Sequence, residues 1–267
     1  MTSSDVEVAI AAVLAGAEIV RRDYGAEHER TMKSAADVAT RTDLDAEEAI
    51  FEVLSRSRPH DARRGEETGH AGPAAAARHW LVDPLCGTVN FAATTPLVAV
   101  NVALVEAGAV TVAAVADPLA HELFWTDGER AFTGREGRGV PAAPTAASRL
   151  IEVNCDGPTD RVFVGGQVVA DPRLREAFSP RVISSTLALP WTAVGRRAAY
   201  VSDGLFRDNL HHAAGIAVCE RAGCVVSDLA GDPLHTGRGL IVSADAATHE
   251  AVLEIIAPHL AEVLRAS

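Results

Sequence analysis

The sequence carries no excess of positive charge: 24 Lys and Arg stand against 36 Asp and Glu, a net charge of −12. A nucleic-acid binder reads as basic, so that class of partner is not expected. An anionic small substrate stays open, because bound cations invert the sign of a pocket locally. Aromatic residues are scarce, at 4%, which leaves Ala, Val, Leu and Ile to build the core. The four cysteines, Cys86, Cys155, Cys219 and Cys224, include no CxxC pair and no disulfide framework. That excludes a small stapled secreted domain and points to a reducing, cytoplasmic setting. No apolar run approaches the roughly 20 residues of a membrane span. The opening MTSSDVEVAIAAVLAG carries Asp5 and Glu7 and lacks the basic start of a secretory signal.

What is present is an ordinary globular composition, 48% hydrophobic and 22% charged over 267 residues. That is enough chain for one large domain or two packed halves. Ser4 stands three residues ahead of Glu7, a capping-box pattern. Val6, Ile10, Val13, Leu14, Ala17 and Val20 then recur at helical spacing up to Gly25. DAEEAIFEVLSRSR predicts a second helix, capped by Thr42 or Asp45, after a polar loop KSAADVATRTD that holds Asp37 and Asp43. HWLVD reads as a buried strand, LVAVNVALVEAGAVTVAAVADP as an antiparallel hairpin turning at Ala107–Gly108, and HELFWTDG as a further strand. GREGRGVPAAPTAASR, rich in Gly, Pro and Ala, marks a junction. It divides the chain into an N-terminal α+β half, 1–140, and a C-terminal α/β half, 141–267, that completes the active site. In the second half RVFVGG and RVISS suggest strands, LALPWTAVGR a short helix, and HHAAGIAVCERAG a helix with a glycine stop. CVVSDL and GLIVSA suggest strands, and ATHEAVLEIIAPHLAEVL a final helix. Strands interleaved with helices argue α/β layering.

Acids recur at three separated stations: Asp37 and Asp43, then Glu66 and Glu67 in RRGEETG, then Asp83 at the end of HWLVD. A hard cation such as Mg2+ takes one or two carboxylates plus waters and substrate phosphate. In DPLCGTVNF the strand ends at Asp83, turns through Pro84 and Gly87, and starts a helix at Thr88. That layout offers backbone N–H groups to a phosphate. Taken singly, each acid reads equally well as a solvated surface group.

Together, in this order and spacing, the blocks resemble the inositol monophosphatase family, within the lithium-sensitive, Mg-dependent phosphatase superfamily. ADVATRTD resembles the family's D-x-x-T-x-x-D loop, GEET its G-E-E-[ST], and WLVDPLCGTVNF its W-x-x-D-P-x-D-G-T-x-N-F. VNVALVEAGAVTVAAVADPLAHELFWTDGERAF is similar to the family hairpin, and LHHAAGIAVCERAG to its W-D-x-A-A-G stretch. The resemblance implies a layered αβαβα sandwich of the α/β class. It also implies a Mg2+-dependent phosphomonoesterase for a small phosphorylated polyol, sugar or nucleotide-derived metabolite. Homodimerisation through the hairpin region and the absence of membrane attachment are further expectations. By the same resemblance Glu66, Asp83 and the backbone carbonyl of Leu85 hold the first metal. Thr88, Asp43 and Glu66 position or activate the attacking water, and the Gly87 and Thr88 N–H groups receive the phosphate. Glu67 and Asp37 support these groups, and Asp203, in YVSDGLFRDN, is the carboxylate nearest to the one that contacts a polyol.

Two family aspartates are missing. Cys86 stands inside the DPxDGT block, and His211, after Leu210 in place of Trp, stands before xAAG. In the family both aspartates ligate a second metal, so the first metal site is retained and the second altered. Several readings follow. Cys86 is a buried filler and His211 a core histidine; or Asp83, Cys86 and His211 form a softer Zn2+ or Fe site. Cys86 and His211 instead act as nucleophile and base for other chemistry, or the pocket only binds. Alternatively, phosphatase activity runs on fewer metals, with Asp208 as a substitute acid. His212, adjacent on a helix, points away from its neighbour's direction. Trp80, Trp191, Cys219 and Cys224 read as packing.

Overall fold

The computed structural model describes residues 3–26, 30–32, 38–135, 138–157, 163–204, 206, 209–234 and 238–266. Asp37 and Asp208 therefore lie outside the described residues. The chain divides into two compact units. One is Met1–Pro141 with Ser185–Leu187 and Leu210–Val218; the other is Ala142–Ser184 with Ala188–Asn209 and Cys219–Ser267.

The first unit opens with α1 (Asp5–Asp23), the antiparallel pair β1 (Arg30–Met32) and β2 (Val38–Thr40), and α2 (Arg41–Ser57). There follow β3 (Ala62–Gly65), β4 (His70–Ala71), β5 (Arg78–Cys86) and the short α3 (Thr88–Ala92). A meander completes it: β6 (Ala99–Glu106), β7 (Ala109–Asp117), β8 (Glu122–Thr126), β9 (Ala131–Arg135) and β10 (Arg138–Pro141). These eight later strands form one sheet in the order β10-β9-β8-β7-β6-β5-β3-β4. Only the β3–β5 pairing is parallel.

The capping box expected at Ser4 is formed: Ser4 N donates to Glu7 Oε2 at 2.7 Å and Glu7 N to Ser4 Oγ at 3.4 Å. From there α1 buries Val8, Ala12, Val13, Ala17 and Val20 against Ile50 and Leu54 of α2 and the β5–β6 face. Small Ala and Val side chains allow the helices and sheet to close without aromatic bulk. At its outer end β5 is tied by Arg78, which pairs with Asp5, Asp61 and Glu106 at 2.9, 3.2 and 3.0 Å.

The second unit contains β11 (Leu150–Asn154), α4 (Val164–Ala170), α5 (Pro172–Ala177), β12 (Ser179–Val182), α6 (Ala188–Ala193) and β13 (Ala199–Ser202). Helix α7 (Leu210–Ala222) begins in the first unit and ends in the second, followed by β14 (Val225–Ser227), β15 (Leu240–Ser243) and α8 (Ala246–Ala266). Its five-stranded sheet has the order β12-β11-β13-β15-β14. Ile151, Val153, Val201 and Ile241 pack there with Val252 and Ile256 of α8.

The mixed α/β class is as expected, but two local readings need correction. Helix α2 starts at Arg41, not near Asp45: Thr40 is the N-cap, and Asp43 closes a capping box with it. Asp43 thus sits in a helical first turn rather than in a loop. FVGG, read as a strand, begins α4 after the N-cap Phe163. A short apolar run carries no decisive period, and here Asp203 Oδ2 takes the Val164 N–H at 2.7 Å. Strands β11 and β13 and helix α5 were not anticipated by the apolar pattern.

Candidate active site

Strand β5 is buried from Trp80 through Leu85, so its inner end delivers Asp83 into the first unit fully enclosed, at 0% exposure. Asp83 pairs in register with Asn101 of β6, and the register then slips before Cys86 meets Ala99. That slip ends the strand and leads into Gly87, whose φ of +92° lies in the left-handed region that favours glycine.

Three donor groups converge at Asp83. His211 Nδ1, from α7, lies 2.9 Å from Asp83 Oδ2 and 3.7 Å from Glu66 Oε2. One ligand atom from each of Glu66, Asp83 and His211 falls within 4.8 Å of the other two. Asn101 Nδ2 stands 3.5 Å from Asp83 Oδ2 and donates to Thr186 Oγ1 at 3.1 Å. The second oxygen, Asp83 Oδ1, is buried and has no hydrogen-bond partner among the described residues. A buried carboxylate oxygen left in this way costs free energy unless a cation or donor answers it. The residues present therefore fit a divalent ion.

Beside this cluster stands a hydroxyl–carboxylate pair. Thr88 Oγ1 lies 3.0 Å from Asp43 Oδ1 and 3.1 Å from the Leu85 carbonyl. Asp43 is fully buried, and its other oxygen accepts the Thr40 N–H at 2.7 Å and the Thr40 hydroxyl at 2.6 Å. With one oxygen saturated by the helix cap, the Asp43 carboxylate cannot rotate away from Thr88.

Glu66 is positioned by a residue the sequence reading passed over. Glu47, on α2 and fully buried, accepts the Glu67 and Thr68 N–H groups at 2.8 Å each, and the Thr68 hydroxyl as well. Gly65 is required here by close approach: a Cβ on it would lie 2.3 Å from the Glu47 carboxylate. The signal was available, since Asp43, Glu47, Ile50 and Leu54 fall on one helical stripe whose other members are buried. Thr186 and Asn101 offered no comparable signal.

Cys86 departs from its expected partners. The Asp83–His211 part of the proposed soft-metal set is brought together, but Glu66 takes the third place and Cys86 lies outside the group. Thr186 is a neighbour of its thiol. Burial pushes that thiol well above its ordinary value, and the neighbouring Asp83 and Glu66 charges add to the shift. Nucleophilic attack or metal ligation by Cys86 would use its thiolate, the form that burial disfavours. His211 is the member of the histidine pair that meets the carboxylates, while burial, aided by His211, pushes His212 down to about 3.

Asp203, in the second unit, is 6% exposed and holds the Val164 N–H. Its recorded role there is to support the start of α4. Cys219 donates to the Leu189 carbonyl at 3.0 Å within the same unit. No helix among the described residues is long and apolar enough to cross a membrane.

Carboxylates gathered at a strand end and a hydroxyl held by a buried acid, in a mixed α/β fold, are parts that a metal-dependent hydrolase of the phosphatase class would use. The model of the inositol monophosphatase family matches residues 1–263. An inositol-1-monophosphatase from Caulobacter vibrioides is 34% identical over 213 residues, 76% of this chain and 80% of that protein. The Nus factor SuhB of Pseudomonas aeruginosa is 31% identical over 87% of this chain and 88% of its own length. The crystal structure of the extragenic suppressor protein suhB from Bartonella henselae superposes with a TM-score of 0.82 at 25% identity, covering 95% of this chain and 98% of that one. The chain belongs to the inositol monophosphatase family.

Proposed function

We propose that this chain hydrolyses a small phosphomonoester, a phosphorylated polyol, sugar or nucleotide-derived metabolite, at a site whose second metal position is altered. The observation that carries the reading is the cluster of Glu66, Asp83 and His211, in which Asp83 is buried and its Oδ1 has no hydrogen-bond partner among the described residues, beside the Thr88–Asp43 pair. Glu66, Asp83 and the Leu85 carbonyl would hold a divalent cation, Mg2+ in the family pattern. When bound, such an ion neutralises phosphate charge and makes water a better nucleophile.

The chain's own groups supply the rest. Thr88 Oγ1 donates to Asp43 Oδ1, which turns the hydroxyl lone pairs outward to accept a proton of the attacking water. Glu66, braced through Glu47, fixes the other side of that water. The Gly87 and Thr88 N–H groups receive the phosphate oxygens at the turn. Water oxygen then bonds to phosphorus in line with the departing ester oxygen, the P–O ester bond breaks, a proton passes toward Asp43 through Thr88, and the departing alkoxide takes a proton from solvent water to leave as the alcohol. His211 and Cys86 replace the carboxylates that the family pattern places at the second metal, so the leaving-group side carries fewer anionic ligands. Asp203 is retained only as the carboxylate nearest in sequence to a polyol contact.

Phosphate release from a panel of sugar, polyol and nucleotide monophosphates, with Mg2+, Mn2+ or Zn2+ supplied, tests the reading. Thr88→Ala should lose about 10²–10⁴-fold in turnover, the usual worth of positioned proton transfer, and Thr88→Ser should recover most of it. No release above background from any member of the panel, with any of the three ions, refutes it.

A further inference from the structure

We infer that His211 Nδ1 is itself a metal ligand, so that this site is a mixed imidazole–carboxylate centre preferring a first-row transition ion, Mn2+ or Zn2+, over Mg2+. The inference rests on the proposed metal-dependent reading of the same site and extends it to ligand set and ion identity. Metal–nitrogen and metal–oxygen bonds of about 2.0–2.2 Å place neighbouring donors roughly 3.0–3.5 Å apart around one ion. The Nδ1 of His211 lies 2.9 Å from one carboxylate oxygen and 3.7 Å from the other, which brackets that range without moving the backbone. The second, independent observation is Asp83, fully buried with an oxygen that no donor among the described residues reaches.

The chemistry of the set then selects the ion. Two carboxylates alone suit Mg2+, Ca2+ and Mn2+; adding an imidazole favours Zn2+, Fe2+ and Mn2+, with affinity rising along the Irving–Williams order. Cys86 stands outside the set, so no thiolate draws the centre toward soft ions such as Cu+. Mg2+ gains nothing from the nitrogen, because it holds oxygen ligands and keeps several waters.

The test uses the full chain, stripped of metal, and reads binding rather than turnover. Titration calorimetry with Mg2+, Mn2+ and Zn2+ should give Mn2+ and Zn2+ at least tenfold tighter than Mg2+. Electron spin-echo spectroscopy of the Mn2+ form should show a nitrogen coupling, and this needs no variant. His211→Asp should remove that coupling and bring the Mn2+ to Mg2+ affinity ratio back toward the wild-type value's tenth or less. Asp83→Asn should abolish binding of all three ions. Mn2+ bound without a nitrogen coupling, or an affinity ratio unchanged in His211→Asp, overturns the inference while leaving a carboxylate-only phosphatase intact. A nitrogen-coupled ion in a chain that releases no phosphate supports the ligand set and defeats the proposed activity. Failure to bind any ion overturns the ligand assignment.

Discussion

Replacing Glu47 by glutamine isolates the support behind Glu66. The Glu47 carboxylate is fully buried and accepts three hydrogen bonds from the Glu67–Thr68 turn. Hydrogen bonds to a charged group contribute about 1.5–3 kcal/mol each, although not additively. Glutamine keeps one acceptor oxygen but turns an NH2 group toward a main-chain N–H, leaving at least one buried donor unpaired at about 1–3 kcal/mol. Together with the lost charge assistance, the expected destabilisation is about 2–4 kcal/mol, a large share of the roughly 5–15 kcal/mol that holds a typical protein folded. Urea denaturation should register it as a lowered midpoint, and hydrogen exchange should quicken at the Glu67 and Thr68 amides. Gly65→Ala should cost a similar amount, because its Cβ would occupy the carboxylate's place, 2.3 Å away. The two lesions share one cause, so Glu47→Ala combined with Gly65→Ala should cost clearly less than their sum. Strict additivity, or a Glu47→Gln protein with unchanged midpoint and unchanged exchange, would show that the brace carries no weight.

Other expectations follow from the same geometry. Asp83→Asn removes a buried charge with an unpaired oxygen, so the metal-free protein should unfold at an equal or higher urea concentration. Its phosphate release should meanwhile fall by about 100-fold or more; a parallel loss of stability and activity would contradict this. Cys86→Ser should alter turnover by less than about fivefold, roughly 1 kcal/mol of barrier, since burial holds the thiol well above its ordinary value; complete loss in a folded protein would restore a working thiol. Asp171, in the second unit, is held well below the usual carboxylate range by Arg173 first and His259 next. A depressed folded value contributes stability above the unfolded value of about 3.9 and loses it as pH falls below that point. Asp171→Asn should therefore flatten the acid limb of stability between pH 5 and the lowest accessible pH, and an unchanged limb would count against the pairing.

Much of the fold was legible because the relevant signals are local. Ser4 and Glu7 announce their cap, and Ala107–Gly108 marks the hairpin between β6 and β7. The acidic motifs carried the resemblance to the family, and through that resemblance the stations of Glu66, Asp83, Asp43 and Thr88. What remained hidden is relational. The start of α4 depends on a carboxylate about 40 residues downstream, Asp203, and a five-residue strand such as β11 is too short for its period to show. Thr186 comes beside the Cys86 thiol through tertiary contact and leaves no trace in the local pattern. Glu47 is the exception: an acid on the buried stripe of an amphipathic helix is visible in the sequence once the helix is placed.

His211 lies 128 residues downstream of Asp83, and this separation has a consequence in time. Chains emerge N-terminus first at about 5–20 residues per second, so Asp83 precedes His211 by roughly 6–26 s. Throughout that interval the growing chain comes to carry Glu66, Asp83, Glu47, Asp43 and Thr88, but not the His211 imidazole. A chain released before residue 211 would present oxygen donors alone to whatever cations surround it. The donor set is thus completed late in synthesis, when α7 joins the unit that already carries the acids.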